Sequence, residues 1–150
     1  MPKKETIRRA RRDKREGKSA STQAGEFVRE EIEAIREGEH GARSAKQAIA
    51  IGLSKARRAG VKLPPPKNGS GKVRHKAALD YEAGQRDPGH KPSPKRSRAT
   101  LKALQHESRG AASHAALSRQ ARSAAGRKTA AQRSAAASKA ARTRKATRAA

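Results

Sequence analysis

Large apolar side chains are scarce along this chain, and none of them follows Leu117. Leu, Ile, Val and Phe together number 15 of the 150 residues, about half of the ~20% below which a highly charged sequence usually fails to collapse. The chain carries 38 Lys and Arg against 13 Asp and Glu, and its net charge of +25 makes it repel itself. We therefore expect a mainly α protein of short amphipathic helices and extensive disordered basic segments, with no large core.

Charge and proline placement divide the chain into four predicted parts. Residues 1–20 hold nine Lys and Arg against three acids and are predicted to form a disordered basic arm. Residues 21–63 are predicted to be a helical hairpin module. Three consecutive prolines then stop any helix, so residues 64–96 are expected to be a linker with a short helix. Residues 97–150 form an Ala/Arg/Ser-rich basic tail, either helical or disordered, since alanine favours helix but offers no face to bury.

The most strongly specified helix covers residues 44–60. Ser44 and Gln47 have the spacing of a capping box at its start. Gly60 stands where a left-handed residue would close the helix, and Val61 follows it as the apolar partner of a Schellman motif. The sequence therefore specifies both ends of this helix.

A second amphipathic helix is predicted over residues 24–37, ended by Gly38. The two helices can pack as an antiparallel hairpin, residues 24–60, which is the one small core the sequence offers. A unit of about 40 residues is rarely stable without staples, so a homodimer through this hairpin would supply the missing burial.

Residues 21–40 reverse the sign of the charge, with six Glu against Arg29 and Arg36. The nearest counter-charges in the sequence are the arm, residues 1–18, and the basic cluster at 55–62. We hypothesise that this acidic island restrains binding to DNA by occupying basic segments of the same chain. A solvated helix face is the alternative interpretation.

Catalytic and metal-binding patterns are lacking. The five histidines have no metal-ligand spacing, the chain has no cysteine, and no base is held beside a serine nucleophile. We expect a non-enzyme with no cofactor and no metal. Two motif likenesses also fail: Arg58 stands where a helix-turn-helix needs an apolar residue, and Val73 follows Gly69-Ser-Gly-Lys72 where a phosphate loop needs a hydroxyl.

No apolar run approaches the ~18 residues of a membrane span, and the first residues lack the apolar stretch of a secretory signal. We expect no membrane association and a cytoplasmic location, on the nucleoid.

The expected partner is a polyanion. Single-stranded nucleic acid is usually bound by aromatic stacking, and this chain has one Phe and one Tyr. Neutralising the phosphates of a duplex needs only Lys and Arg, so duplex DNA bound without sequence specificity is the leading prediction. An RNA-associated or ribosome-associated protein, and an adaptor that recruits a protein partner through residues 24–60, are the alternatives.

The candidate nucleic-acid-binding residues are cations of the 44–60 helix, the residues just after it, and the tail. They are Lys46, Lys55, Arg57, Arg58, Lys62, Arg119, Arg122, Arg127, Lys128, Arg133, Lys139, Arg142, Arg144, Lys145 and Arg148.

Two blocks of the sequence carry a family resemblance. The block Arg43-Ser-Ala-Lys-Gln-Ala-Ile-Ala-Ile-Gly-Leu-Ser-Lys-Ala-Arg-Arg-Ala-Gly-Val-Lys62 resembles a segment of small basic bacterial proteins of an uncharacterised domain family. The block Ser113-His-Ala-Ala-Leu-Ser-Arg-Gln-Ala-Arg-Ser-Ala-Ala125 is similar to a second segment of those proteins. Separately, the Ala/Lys/Arg tail resembles bacterial histone H1-like proteins, although it lacks their Pro-Ala-Lys repeats. This second resemblance implies a nucleoid-associated role.

Overall fold

The structure is a computed structural model that describes residues 2–88 and 90–148, except the side chains of residues 147 and 148. This part of the chain contains seven α-helices and no strand. The helices are α1 (Lys4–Arg15), α2 (Ala20–Glu37), α3 (Ala45–Arg58), α4 (Gly71–Arg86), α5 (Pro94–Gln105), α6 (His114–Gly126) and α7 (Ala130–Arg148), with a short 3₁₀ helix at Arg109–Ala112. The chain divides into two compact units, Met1–Ser113 and His114–Ala150.

The ends of α3 follow the predicted capping pattern. The backbone N–H of Gln47 donates to the Ser44 hydroxyl at 3.2 Å. Gly60 has φ +89°, and the Val61 amide donates to the carbonyl of Ala56 at 3.1 Å. The bond from Val61 to Ala56 and the left-handed Gly60 are the features of a Schellman motif. The predicted ends of this helix are therefore confirmed.

Helix α2 is the centre of the first unit, because α1 and α3 both pack against it and α4 packs on α3. Phe27 of α2 is 1% exposed and lies in a cluster with four other buried residues, which are Ala10, Ala24, Ala56 and Val61. From the sequence, the two-helix hairpin was expected to need a dimer partner to bury enough surface. In the structure, α1 and α4 of the same chain supply part of this burial.

The predicted disorder of residues 1–20 is not supported, since α1 occupies most of this segment. Thr6, Ala10 and Asp13 are buried on the face that contacts α2, and Ile7 packs against the Phe27 cluster. The charge repulsion expected for a basic arm is offset because acids of α2 lie beside it. Arg9 Nε of α1, for example, is 2.7 Å from Glu26 Oε2 of α2.

The expectation of no large core is also unsupported, and alanine explains the difference. Of the fourteen buried hydrophobic residues in the described part of the chain, ten are alanines. Small side chains let helix backbones approach closely: a Cβ built on Gly52 of α3 would lie 2.6 Å from Val28 Cα of α2. Scarcity of large apolar residues thus limits the size of the packed side chains here, but it does not prevent packing.

The second unit is helical as well. Thr129 and Gln132 form a reciprocal capping box before α7. The backbone N–H of Gln132 donates to the Thr129 hydroxyl at 3.2 Å, and the backbone N–H of Thr129 donates to Gln132 Oε1 at 3.0 Å. Every described side chain of α7, residues 130–146, is exposed.

Among the described residues, no helix is both long enough and apolar enough to cross a membrane.

The close approach of α2 and α3 at Gly52 generates a stability prediction. In Gly52→Ala the new methyl meets backbone atoms that cannot move aside, and overpacking of this kind costs about 1–3 kcal/mol. Gly25→Ala is the matched control, since Gly25 is also helical but has nothing within 4 Å of its Cβ position. We expect Gly25→Ala to stabilise by about 0.5–1 kcal/mol and Gly52→Ala to destabilise, measured by urea unfolding followed by circular dichroism. Equal effects of the two substitutions would contradict the packing of α3 on α2.

Candidate nucleic-acid interface

Three of the five candidate cations in and just after α3 take part in internal contacts. Lys55 Nζ lies 2.6 Å from Glu31 Oε2, and Arg58 Nη1 lies 3.7 Å from Asp80 Oδ1. Arg57 is buried, and its guanidinium donates to the carbonyls of Leu63 at 3.2 Å and Pro64 at 3.3 Å. Lys46 and Lys62 are exposed. The cations of α3 therefore mostly hold the fold together.

Arg57 shows why a basic residue in this unit need not face a ligand. Burial lowers the pKa of its guanidinium, and Asp80 acts in the opposite direction. An arginine stays charged under such conditions because its ordinary pKa lies far above physiological pH. The hydrogen bonds from its guanidinium to Leu63 and Pro64 hold the turn after α3, between Gly60 and the three prolines.

The most buried acid of the island, Glu31, is 0% exposed. Its two carboxylate oxygens face Lys55 Nζ at 2.6 Å and His40 Nε2 at 3.4 Å. The other ring nitrogen of His40 lies 3.0 Å from the carbonyl oxygen of Gly41. Glu31 thus ties α2 to α3 and to the loop between them.

The remaining island acids face mainly the arm. The Lys3 amide lies 3.1 Å from Glu30 Oε2, and Arg9 Nε donates to Glu26 Oε2 at 2.7 Å. Glu39 and Glu37, in that order, raise the pKa of the Lys3 ammonium. A hydrogen bond from Arg29 within α2 lowers the pKa of Glu33. The arm and the 55–62 cluster were the predicted counter-charges, and both contribute contacts to the island.

The candidate cations of the tail are on the surface of the second unit. Exposed members are Arg119, Arg122, Arg127, Lys128, Arg133, Lys139, Arg142, Arg144 and Lys145. Some bond to their own segment, as Arg133 does to the carbonyl of Lys128 at 2.7 Å. Arg148 is the last residue of α7, and its side chain lies outside the described part. The unit contains no Asp or Glu, so these charges have no carboxylate partner within it.

One group of surface cations was missed from the sequence. Lys4, Arg8, Arg11 and Arg15 of α1 are all exposed and, with Ile7, line an open surface groove of about 390 Å³. Their spacing of four, three and four residues is that of one helix face, and the sequence displays it. Residues 1–20 were predicted to be disordered, and a disordered segment has no helix face, so these four cations were not among the predicted binding residues.

Comparison with protein families gives a match to part of the chain. Residues 4–67 match the sequence model of a family of unknown function (DUF6496). This segment covers α1 to α3 and the turn after them, which agrees with the expected resemblance to an uncharacterised domain family. No curated protein and no solved structure matches the chain. Because the match begins at the first residue of α1, that helix is part of the matched domain and not an appendage to it.

The contact between Lys55 and Glu31 generates a prediction that separates a structural lysine from a binding one. Lys55→Met removes the cation 2.6 Å from a carboxylate that is 0% exposed. Breaking a buried pair on one side costs on the order of 3 kcal/mol. We expect that loss in urea unfolding, and a smaller loss when Glu31→Gln is added, because the double variant leaves no buried charge behind.

Lys46→Met is the matched control for this experiment, since Lys46 is exposed on the same helix. Its free energy of unfolding should be within about 0.5 kcal/mol of that of the wild type. If Lys55→Met is equally mild, Lys55 does not stabilise the fold and its assignment as a structural residue is wrong.

Proposed function

We propose that this protein binds duplex DNA without sequence specificity, in a histone H1-like, nucleoid-associated role. The contacts are made by Lys and Arg side chains with the phosphate backbone. The tail unit, His114–Ala150, is the principal cationic element, and the exposed cations named above are its binding residues.

The arrangement of α7 is the observation that supports this proposal most directly. A helix of 19 residues would extend about 28 Å, at 1.5 Å per residue. Its cations point in several directions, since Arg133, Lys139 and Lys145 lie more than 90° apart at 100° per residue. No acid interrupts them. A rod charged on all sides suits the phosphates that line a groove of the duplex, and it has no apolar face to offer a protein partner.

Sequence-independent binding follows from the residue types. Small Ala and Ser side chains let the helix lie close to the backbone, whereas reading of bases needs bidentate contacts positioned on a rigid frame. The tail unit contains no Phe, Tyr or Trp, so it offers no stacking surface for single-stranded bases. Backbone neutralisation is the binding mode that remains for these cations.

A salt titration of the full chain tests the proposal. If about eight phosphates are neutralised, the logarithm of the association constant should fall with the logarithm of the salt concentration at a slope near −7. Scrambled duplexes should bind within about threefold of one another. A flat titration, a strongly preferred sequence, or tighter binding of structured RNA at matched salt would each contradict it.

Charge substitutions locate the contacts. Arg133→Gln/Lys139→Gln/Arg142→Gln removes three tail cations and should lower the magnitude of the slope by about 2.7, at 0.9 per contact. The control, Lys67→Gln/Lys72→Gln/Arg74→Gln, removes three exposed cations of the first unit that have no acid within 4 Å in the described structure. We expect the control slope to stay close to that of the wild type. Equal losses would mean that only net charge matters.

A further inference from the structure

The surface cations of α1 form a single stripe on the side of the helix that faces away from the core. Lys4, Arg8, Arg11 and Arg15 fall within an arc of about 60° at 100° per residue. The buried residues of this helix, Thr6, Ala10 and Asp13, are centred about 160° from it. The packing of α1 on α2 therefore fixes the direction in which the stripe points.

Carboxylates pair with most of the other cations of the arm and leave the stripe without an acidic partner. Arg9 is 2.7 Å from both Glu5 and Glu26, and Lys18 is 2.8 Å from Asp13. Arg12 pairs with Glu16 at 3.7 Å, and Lys3 with Glu37 and Glu39. No stripe residue has an acid within 4 Å among the described residues. Lys14 also lacks one, but it lies about 90° round the helix from the stripe.

The backbone that carries the stripe is anchored at several points, which reduces the entropy lost on binding. Besides the buried face, the start of α1 is anchored by the amide of Lys3, which donates to the Glu30 carboxylate at 3.1 and 3.2 Å. Arg9 anchors its middle to Glu26. The backbone carrying the four cations is thus fixed before any ligand arrives.

We propose that this stripe is a second phosphate-binding surface for duplex DNA, located in the first unit and separate from the tail. This inference rests on the proposed function and adds binding residues that the tail does not contain. The four cations span about 16 Å of helix axis. One strand of a duplex presents about five phosphates over that axial distance, at 3.4 Å each, so the number of charges is complementary.

The composition of the stripe favours a duplex backbone over single-stranded nucleic acid. Three of its four cations are arginines, whose planar guanidinium matches a phosphate with two parallel hydrogen bonds. No aromatic residue lies in α1, so stacking on unpaired bases has no platform there. The four cations project from one anchored backbone, so several of them can contact phosphates of a duplex at the same time.

The test uses the full chain and three variants with the same loss of charge. Arg8→Gln/Arg11→Gln/Arg15→Gln removes three of the four cations of the stripe. The triple variant of the tail and the Lys67/Lys72/Arg74 triple variant described above serve for comparison. Affinity for a 20-base-pair duplex is measured by fluorescence anisotropy at several salt concentrations, with structured RNA as competitor. Circular dichroism checks that each variant keeps its helices.

We expect the substitutions in the stripe to lower the magnitude of the salt slope by about 2.7. The association constant near 0.1 M salt should therefore fall about 500-fold. Replacing the same arginines by lysine keeps the charge and should restore most of the affinity. The Lys67/Lys72/Arg74 control should stay within about threefold of the wild type.

Each other outcome has a defined meaning. If the stripe variant binds as the control does while the tail variant is weakened, the proposed function stands and the stripe is not a binding surface. If the wild type gives a flat titration, the proposed function itself is wrong. Tighter, stripe-dependent binding of structured RNA would overturn the assignment to DNA.

A measurement on the unmodified protein guards against misfolded variants. The Nε–H resonances of Arg8, Arg11 and Arg15 should shift when the duplex is titrated into labelled wild-type protein. If those of Arg119 and Arg122 shift and these three do not, the proposal is wrong.

Discussion

The pairing of α2 carboxylates with cations from the helices on either side allows a chain of net charge +25 to pack its first unit. Glu26 holds Arg9 of α1, and Glu31 holds Lys55 of α3. Glu31 is fully buried, and its charge requires the partner it has. Without these contacts α1 and α3 would present like charges on both sides of the same small core.

Alanine and glycine make this electrostatic arrangement geometrically feasible. Short side chains bring the helix axes close, so that Lys55 can reach from α3 to a carboxylate on α2 at 2.6 Å. Gly84 of α4 shows the same requirement, since a Cβ there would collide with the Arg57 carbonyl of α3. The first unit therefore depends on small residues at its helix crossings and on charge pairs between its helices.

Local signals in the sequence were sufficient to place α3 and to identify Gly38 (φ +84°) as the residue that ends α2. The packing of the helices was not predictable from these signals. Ser44, Gln47 and Gly60 act within one turn of the chain, so their spacing alone determines a cap. Whether residues 1–20 fold depends on acids more than ten positions further on, and a count of Leu, Ile, Val and Phe does not register an alanine core. The same omission hid the stripe of α1, because a face exists only once the helix does.

Basic residues in this chain differ in role according to where the acids lie, and net charge does not reveal which role each one has. Lys46, Lys55 and Arg57 belong to the same helix, α3. Lys55 and Arg57 hold the fold together, whereas Lys46 is exposed. In the arm the acids sit on the packing side of α1 and beside it, and they leave the opposite side positive. The acidic island therefore does more than subtract charge from the total. By fixing α1 through its inner face, it turns a segment that composition predicts to be a mobile basic arm into an ordered row of cations.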